Sequence, residues 1–139
     1  MNNFWKNKRV LITGHTGFKG SWLTLLLSSK GAKLYGISKN KLSNTKKKSL
    51  FNICNINSLI KTDHIDICDY KSLYKKVNKI KPDIIFHLAA QSIISDSFEK
   101  PLETFYTNVL GTTNLLECIK NIKEVKTAII VSTERSRRE

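Results

Sequence analysis

Three glycines at a spacing of three residues form the part of the chain best suited to chemistry. Gly14, Gly17 and Gly20 follow an apolar run rich in β-branched residues at 10–13 and precede an apolar helical pattern. Glycine has no Cβ, so the chain can turn tightly and a pyrophosphate can come close to the backbone. A helix that begins there offers unpaired N–H groups and a partial positive charge to an anion. The order of strand, glycine turn and helix therefore predicts a nucleotide cofactor site.

Two other phosphate-binding loops compete with this interpretation. The common dinucleotide loop reads G-x-G-x-x-G, whereas the glycines here read G-x-x-G-x-x-G. The nucleotide-triphosphatase loop G-x-x-x-x-G-K-[ST] is nearly present, but Lys19 and Gly20 stand in transposed order before Ser21. Its lysine must follow the last glycine to reach the β- and γ-phosphates. The spacing therefore favours a dinucleotide over a nucleoside triphosphate.

The choice between NAD and NADP stays open on the residues alone. NAD enzymes often place an acidic residue after the second strand to hold the ribose 2′-hydroxyl. Here Ser38, Lys39 and Asn40 occupy that region. Lys39 has the charge to meet the 2′-phosphate of NADP instead.

The elements that must position these residues alternate along the chain. Strands are predicted at 9–13, 33–37, 59–65, 83–87 and 127–131, the first and last of them buried. Helices are predicted at 20–30 and 70–80, and a long one begins at Pro101. Trp22 and the leucines after it are expected in the core. The long helix is expected to carry the apolar residues Phe105, Val109, Leu115, Leu116 and Ile119. Alternating strands and helices predict an α/β fold with a doubly wound parallel sheet.

Length and charge set limits on the class of protein. The 139 residues correspond to about one domain, and the net charge is +13. The first 62 residues hold eleven lysines and Arg9 with no acidic residue. These bases are scattered singly apart from a run at 46–48, so no nucleic-acid partner is expected.

The cysteines and the apolar segments of the sequence indicate where in the cell the protein is expected. Cys54, Cys68 and Cys118 are odd in number, are widely spaced and form no Cys-x-x-Cys pair. Neither a disulfide framework nor a metal site is predicted, and the three are expected to be inert apolar side chains. No run approaches the length of a membrane span, and no secretory signal precedes the glycines. The expected location is the cytoplasm, with no membrane partner.

Four segments together resemble a known family. They are FWK at 4–6 with RVLITGHTGFKGSW at 9–22, DICD at 66–69, HLAAQ at 87–91 and TNVLGT at 107–112. In order and spacing they are similar to the extended short-chain dehydrogenase/reductases, the NAD-dependent epimerase/dehydratase family with a Rossmann-type fold. The wording from His15 to Trp22 most resembles the nucleotide-sugar 4,6-dehydratases within it. The resemblance covers residues 4 to about 134.

The resemblance implies a reaction. In these lyases a tightly held NAD takes a hydride from C4 of the sugar, water is lost across C5 and C6, and the hydride returns to C6. The implied substrate of the full-length enzyme is CDP-glucose, and the product is CDP-4-keto-6-deoxyglucose, a deoxysugar precursor for surface polysaccharide. The full-length family members are homodimers.

The resemblance also implies site residues. The pyrophosphate would lie against Gly14, Gly17, Phe18 and Gly20. Adenine would contact Asp66 and Ile67, and the cofactor would pass Leu88, Ala89, Ala90 and Gln91, with Ala89 and Ala90 at its ribose. Asn108 would form the floor of the pocket. The catalytic positions would be the hydroxyls of Ser132 and Thr133 and the acid Glu134, where the family usually has aspartate. His15 is either a cofactor neighbour or a side chain that fills the turn, and His87 is expected to be structural.

The chain departs from the family near residue 134. The family's proton-transfer pair, Tyr-x-x-x-Lys on a later helix, has its only match at Tyr35 and Lys39. Those two residues straddle a strand and a loop, so they would not share a helical face. Three of the four arginines stand at Arg135, Arg137 and Arg138. We therefore expect an incomplete Rossmann domain at 1–134, an unrelated or frameshifted tail at 135–139, and no C-terminal substrate domain.

Such a chain is not expected to catalyse the reaction alone. Two alternatives remain open from the sequence. One is another nucleotide-sugar epimerase or dehydratase, and the other is a nucleotide-binding remnant without turnover.

Overall fold

A five-stranded parallel sheet organises the chain. The computed structural model describes residues 3–39 and 49–131. The strands are β1 (Arg9–Thr13), β2 (Lys33–Ser38), β3 (Lys61–His64), β4 (Ile84–His87) and β5 (Thr127–Ile130). Their spatial order is β3-β2-β1-β4-β5, and every neighbouring pair is parallel. This confirms the predicted α/β class and all five predicted strands, with ends shifted by at most two residues.

Helices connect the strands. They are α1 (Phe18–Ser29), α2 (Leu50–Ile53), α3 (Tyr70–Ile80), α4 (Ile94–Glu99), α5 (Pro101–Phe105) and α6 (Gly111–Lys120). A short 3₁₀ turn (Ile56–Ser58) follows α2, and a π-helical segment (Tyr106–Leu110) joins α5 to α6. No helix in these described ranges is long and apolar enough to cross a membrane.

The alternation of side chains along β1 divides the core into two halves. Val10 and Ile12 pack with Leu27 and Phe51 on one face of the sheet. Leu11 points to the opposite face and packs with Leu73 and the other apolar residues of α3 and α6. Because successive strand residues face opposite sides, one strand with three apolar residues serves both halves.

The helix α3 shows how local signals define an element. Asp69 caps its start by accepting a hydrogen bond from the Ser72 N–H at 3.2 Å. Leu73, Val77 and Ile80 are buried along one face, as the spacing predicts. The helix ends at Lys81, whose φ of 48° cannot continue it.

Several predictions about burial are wrong. Trp22 and Leu26 lie on the solvent side of α1, 54% and 55% exposed, because that helix buries only the face containing Leu27. The strand β5 was expected to be buried, but Ile129 and Ile130 are exposed. It forms an edge that pairs with β4 alone among the described strands.

The long helix predicted from Pro101 is divided into α5, the π-helical segment and α6. Of the apolar residues predicted on it, Leu115 is fully buried, but Phe105, Val109 and Leu116 are 63%, 47% and 46% exposed. The helix α4 was not predicted at all. Its sequence ISDSFE lacks a clear apolar stripe, and none of its residues is buried. Cys118 is buried as expected of an apolar filler, whereas Cys54 is exposed.

Candidate functional site

The glycine loop joins the carboxyl end of β1 to the first turn of α1. Gly14 has a φ of +73°, which L side chains rarely adopt, and its N–H donates to the Ile37 carbonyl at 2.8 Å. The first backbone bond of α1 runs from the Ser21 N–H to the Gly17 carbonyl at 2.9 Å. The N–H groups of the residues between them therefore have no partner within the helix, which is the arrangement that binds anions.

The three glycines differ in the space around them. A Cβ on Gly14 would lie 2.7 Å from the Ala89 nitrogen, and one on Gly20 would lie 2.5 Å from the Gly14 carbonyl oxygen. At Gly17 a Cβ would only touch the Gly14 oxygen, at 3.4 Å, and Gly17 is exposed. Gly14 and Gly20 thus pack the loop against the protein, while Gly17 leaves the helix terminus open to a ligand. These residues fit a pyrophosphate.

His15 is fully buried directly beneath this loop. Its Nε2 lies 3.0 Å from the Thr62 hydroxyl, its ring occupies the space above Gly36, and Phe51 meets its ring edge to face. Its Nδ1 has no hydrogen-bond partner among the described residues. Burial lowers the pKa of His15 to about 4, against a smaller opposite effect of the Ile37 backbone. The neutral ring supports the loop from below and fills the turn.

His87 lies at the carboxyl end of β4 with both ring nitrogens hydrogen-bonded. Its Nδ1 is 2.6 Å from the Thr13 hydroxyl, and its Nε2 is 2.9 Å from the Thr112 hydroxyl. The Thr112 hydroxyl donates its hydrogen to the Asn108 carbonyl at 2.7 Å, so it must accept from Nε2. Nδ1 then accepts from Thr13. The ring is neutral with its proton on Nε2, and burial lowers its pKa to about 4.

This hydrogen-bond chain ties the two loops together. The Thr13 hydroxyl also accepts from the Ala89 N–H at 3.3 Å, and the Leu88 N–H donates to the Thr13 carbonyl at 3.0 Å. Since Gly14 follows Thr13 directly, the residues after β4 are held against the glycine loop. His87 is structural, as the sequence suggests.

Asn108 holds the loop after β4 through its side-chain amide. Its Oδ1 accepts from the Gln91 N–H at 2.8 Å, and its Nδ2 donates to the Gln91 carbonyl at 3.0 Å. Gln91 in turn donates from Nε2 to Asp96 at 2.8 Å. Asn108 lies in the π-helical segment, a type of irregularity that occurs frequently at functional sites. The structure thus gives Asn108 a positioning role for the backbone that adjoins Ala89 and Ala90.

The loop after β3 places the Asp66 side chain at the surface and the Ile67 side chain in the core. Asp66 accepts from the Cys68 N–H at 2.9 Å and pairs with Lys39. Ile67 is a core residue, and a Cβ on Gly111 would lie 2.5 Å from its Cδ1. The side chain of Asn114 donates to the Ile67 and Cys68 carbonyls, each at 3.1 Å. The Ile67 side chain is therefore turned into the protein, while the Asp66 carboxylate stays at the surface.

The structure brings most of the predicted cofactor residues to one edge of the sheet. Gly14 adjoins the loop from Leu88 to Gln91, and Gly17, Phe18 and Gly20 continue from it into α1. Asp66 lies at the same edge two strands away. Their contacts with a cofactor remain predictions. The proposed catalytic residues Ser132, Thr133 and Glu134, and the tail at 135–139, lie outside the described residues.

Sequence reasoning missed three polar residues that position this site. Thr13 and Thr112 stand within the quoted segments at 9–22 and 107–112 but were given no role, and Asn114 lies outside them. Each acts through hydrogen bonds to distant parts of the chain. The available signal was a hydroxyl or amide at the end of β1 or in the first turn of α6. That signal does not reveal the partner.

The strand order defines the class of protein. The chain runs β1-β2-β3 in one direction and then returns to place β4 and β5 on the other side of β1. In doubly wound sheets ligands bind outside the carboxyl ends of the strands where this order reverses. Here that point lies between β1 and β4, where the glycine loop meets Ala89. The molecule has a Rossmann-type doubly wound fold.

Residues 11–135 match the family described as GDP-mannose 4,6 dehydratase, and the chain belongs to that family. It is 42% identical over 133 residues to the CDP-glucose 4,6-dehydratase of Salmonella typhimurium, covering 96% of this chain and 36% of that protein. The chain thus spans about a third of the length of the curated relatives it matches.

Solved structures agree with the fold. The epimerase Mth375 of Methanothermobacter thermautotrophicus superposes with a TM-score of 0.82 at 29% identity, covering 99% of this chain and 38% of that one. The UDP-glucose 4-epimerase of Thermus thermophilus, in complex with NAD, gives a TM-score of 0.69 at 27% identity. That comparison covers 86% of this chain and 36% of the epimerase.

Proposed function

We propose that this chain is the NAD-binding part of a nucleotide-sugar 4,6-dehydratase, with CDP-glucose as the substrate of the whole enzyme. The observation that carries the proposal is the open helix terminus at Gly17, placed where the strand order reverses. Family membership and the 42% identity to a CDP-glucose 4,6-dehydratase support the reaction and the substrate. The 27% identical epimerase that binds NAD supports the cofactor.

Each part of the site has a function in this proposal. The N–H groups at the start of α1 and the backbone of Gly17 hold the pyrophosphate, and Phe18 lies beside it. Ala89 and Ala90 line the cofactor ribose because small side chains let it approach the loop that Asn108 fixes. Asp66 meets the adenine edge. NAD, when bound, supplies the acceptor and donor of the hydride.

We further propose which residues act on the sugar, where the enzyme is located and that the whole enzyme is a homodimer. Ser132, Thr133 and Glu134 would supply the hydroxyl and the acid, while Tyr-x-x-x-Lys has its only match at Tyr35 and Lys39, in β2 and the loop after it. We propose that this chain alone binds NAD without converting CDP-glucose. The three described cysteines are free, in keeping with a cytoplasmic location. The homodimer of the whole enzyme is likewise a proposal.

Calorimetric titration of the 139-residue chain with NAD tests the cofactor site. We expect binding in the wild type and a loss of at least about tenfold in affinity for Gly17→Glu, because a carboxylate there would repel the pyrophosphate. Lys30→Gln, at the far end of α1, changes the net charge by the same one unit and should bind like the wild type. Equal losses in both variants, or no binding by the wild type, would rule out this site.

A chimaera tests the reaction. Residues 1–131 would replace the matching segment of the Salmonella CDP-glucose 4,6-dehydratase, and the 4-keto sugar product would be followed by NMR. Conversion of CDP-glucose by the chimaera, together with NAD binding but no conversion by the 139-residue chain, is the expected result. A chimaera that binds NAD without turnover would support the nucleotide-binding remnant instead.

A further inference from the structure

A lysine and an aspartate meet just beyond the edge of the sheet that carries the glycine loop. The Gly14 N–H donates to the Ile37 carbonyl at 2.8 Å, and the Ile65 N–H donates to the Ser38 carbonyl at 2.9 Å. These two hydrogen bonds continue the pairing of β1, β2 and β3 past their last strand residues, so the three strands end at the same level. Lys39 follows β2 directly, and Asp66 follows Ile65 just beyond the end of β3. Both therefore extend from the edge at which a dinucleotide would lie.

The two side chains form an ion pair. The Lys39 Nζ lies 2.9 Å from the Asp66 Oδ2, with the lysine 66% and the aspartate 33% exposed. The other carboxylate oxygen of Asp66 accepts from the Cys68 N–H at 2.9 Å. Burial acts to raise the pKa of Asp66, but these two hydrogen bonds outweigh it and hold that pKa below its ordinary value. Asp66 is thus an ionised and fixed partner, and Lys39 is the movable one.

A free cation after the second strand would favour NADP, since its 2′-phosphate needs a positive partner there. A paired cation does not offer the same attraction, because its charge is already balanced. A phosphate that approached Lys39 would also approach the Asp66 carboxylate, and like charges at a few ångströms repel. The neutral 2′-hydroxyl of NAD carries no such penalty.

We propose that Asp66, by holding Lys39, makes this site select NAD over NADP. The selectivity thus comes from a carboxylate after the third strand rather than from the acidic residue that usually follows the second. This inference rests on the proposed function, because it needs a dinucleotide at this edge.

Titration calorimetry of the 139-residue chain with NAD and with NADP tests the proposal through the ratio of the two affinities. Asp66→Asn should raise the affinity for NADP relative to NAD by about tenfold, because Lys39 is released. Any contact of Asp66 with adenine cancels in this ratio, since adenine is common to both cofactors. The double variant Lys39→Met/Asp66→Asn should lose the gain.

Asp63→Asn is the matched control. It removes a carboxylate that is also paired with a lysine, Lys76 at 2.6 Å, but on the strand β3 itself. Its NADP/NAD ratio should equal that of the wild type. Lys39→Met alone should not raise the NADP/NAD ratio, because it leaves the Asp66 carboxylate without its balancing charge. This result can be read even if Asp66→Asn does not fold.

The outcomes separate the two proposals. Binding of NAD with no change of the ratio in Asp66→Asn would overturn the role of Asp66 and leave the cofactor site intact. A rise of the NADP/NAD ratio in Lys39→Met would also overturn it, since the unbalanced Asp66 carboxylate would then not disfavour the 2′-phosphate. Binding of neither cofactor by any variant would overturn the proposed function itself.

Discussion

The centre of the sheet and its β5 edge differ in how deeply their apolar side chains are buried. On β1, Val10, Leu11 and Ile12 are 0% exposed. On β5, Ile129 and Ile130 are 39% and 38% exposed. The helical stretch that leads to β5 is more open still, with Phe98 at 77% and Leu102 at 74%. Apolar spacing thus shows which residues prefer burial, whereas neighbouring elements decide which of them are covered.

The polar groups follow the same division. At the centre, the hydroxyl of Thr13 and both ring nitrogens of His87 are hydrogen-bonded, and the two loops of the candidate site touch. Such packing leaves no space for an added atom, and removal of a side chain leaves a cavity. At the open edge both changes should be tolerated. Three predictions test this difference.

Gly14→Ala should have the largest effect. The new Cβ would lie within 2.8 Å of three backbone atoms of Leu88 and Ala89, at a φ of +73° that L residues rarely adopt. We expect a loss of about 4 kcal/mol in the free energy of unfolding. Gly17→Ala, whose Cβ only touches one atom, should lose about 1 kcal/mol or less. Urea denaturation measures both, and similar small losses would mean that the centre is not closed.

Truncation of an apolar side chain should cost more stability at the centre of the sheet than at its β5 edge. Leu11→Ala removes a fully buried side chain between α3 and α6 and should cost about 3 kcal/mol. Ile129→Ala at the open edge should cost about 1 kcal/mol or less, since that side chain is already partly hydrated. The same denaturation experiment provides the comparison. Equal costs would show that β5 is as well covered as β1.

Low pH should destabilise the centre of the sheet through the buried histidines His15 and His87. The folded-state pKa values of His15 and His87 are lowered to about 4 from 6.5, so the unfolded chain binds more protons below pH 6.5. Their stabilisation is complete above pH 6.5 and is lost as the pH falls towards 4. Between pH 7 and pH 5, each histidine should account for a loss of about 2 kcal/mol at most.

Single substitutions assign this pH dependence. His15→Leu and His87→Leu should each be less stable at pH 7, but each should lose about half of the additional destabilisation seen at pH 5. The free energy of unfolding at the two pH values gives the result. If both variants kept the full pH dependence of the wild type, groups other than these two histidines would cause it.

Much of the fold followed from local sequence. The helix α3 was predicted from its first to its last residue, because Leu73, Val77 and Ile80 recur at helical spacing. The strand β1 was predicted with the same accuracy from its β-branched residues and the glycine that ends it. The helix α4 was missed because it is short and buries nothing, so it leaves no apolar period in the sequence.

The candidate site was less predictable than the fold. The glycine loop could be found because its chemistry depends on residue types at fixed spacing within one segment. The hydrogen bonds of Asn108 to Gln91 and of Asn114 to Ile67 could not, because the partners lie 17 and 47 residues apart. Neither spacing corresponds to a turn of helix or a step along a strand.

The amino-acid sequence by itself determined the α/β class and the five strands, and it contains the glycine motif and the resemblance to a dehydratase family. Each of these depends on neighbours in the chain or on motifs that can be read in order. Only the tertiary structure decided that His87 is neutral and bridges two threonines, that β5 is an open edge, and that Lys39 is paired with Asp66. These properties depend on distances between residues far apart in the chain, which the order of residues does not contain.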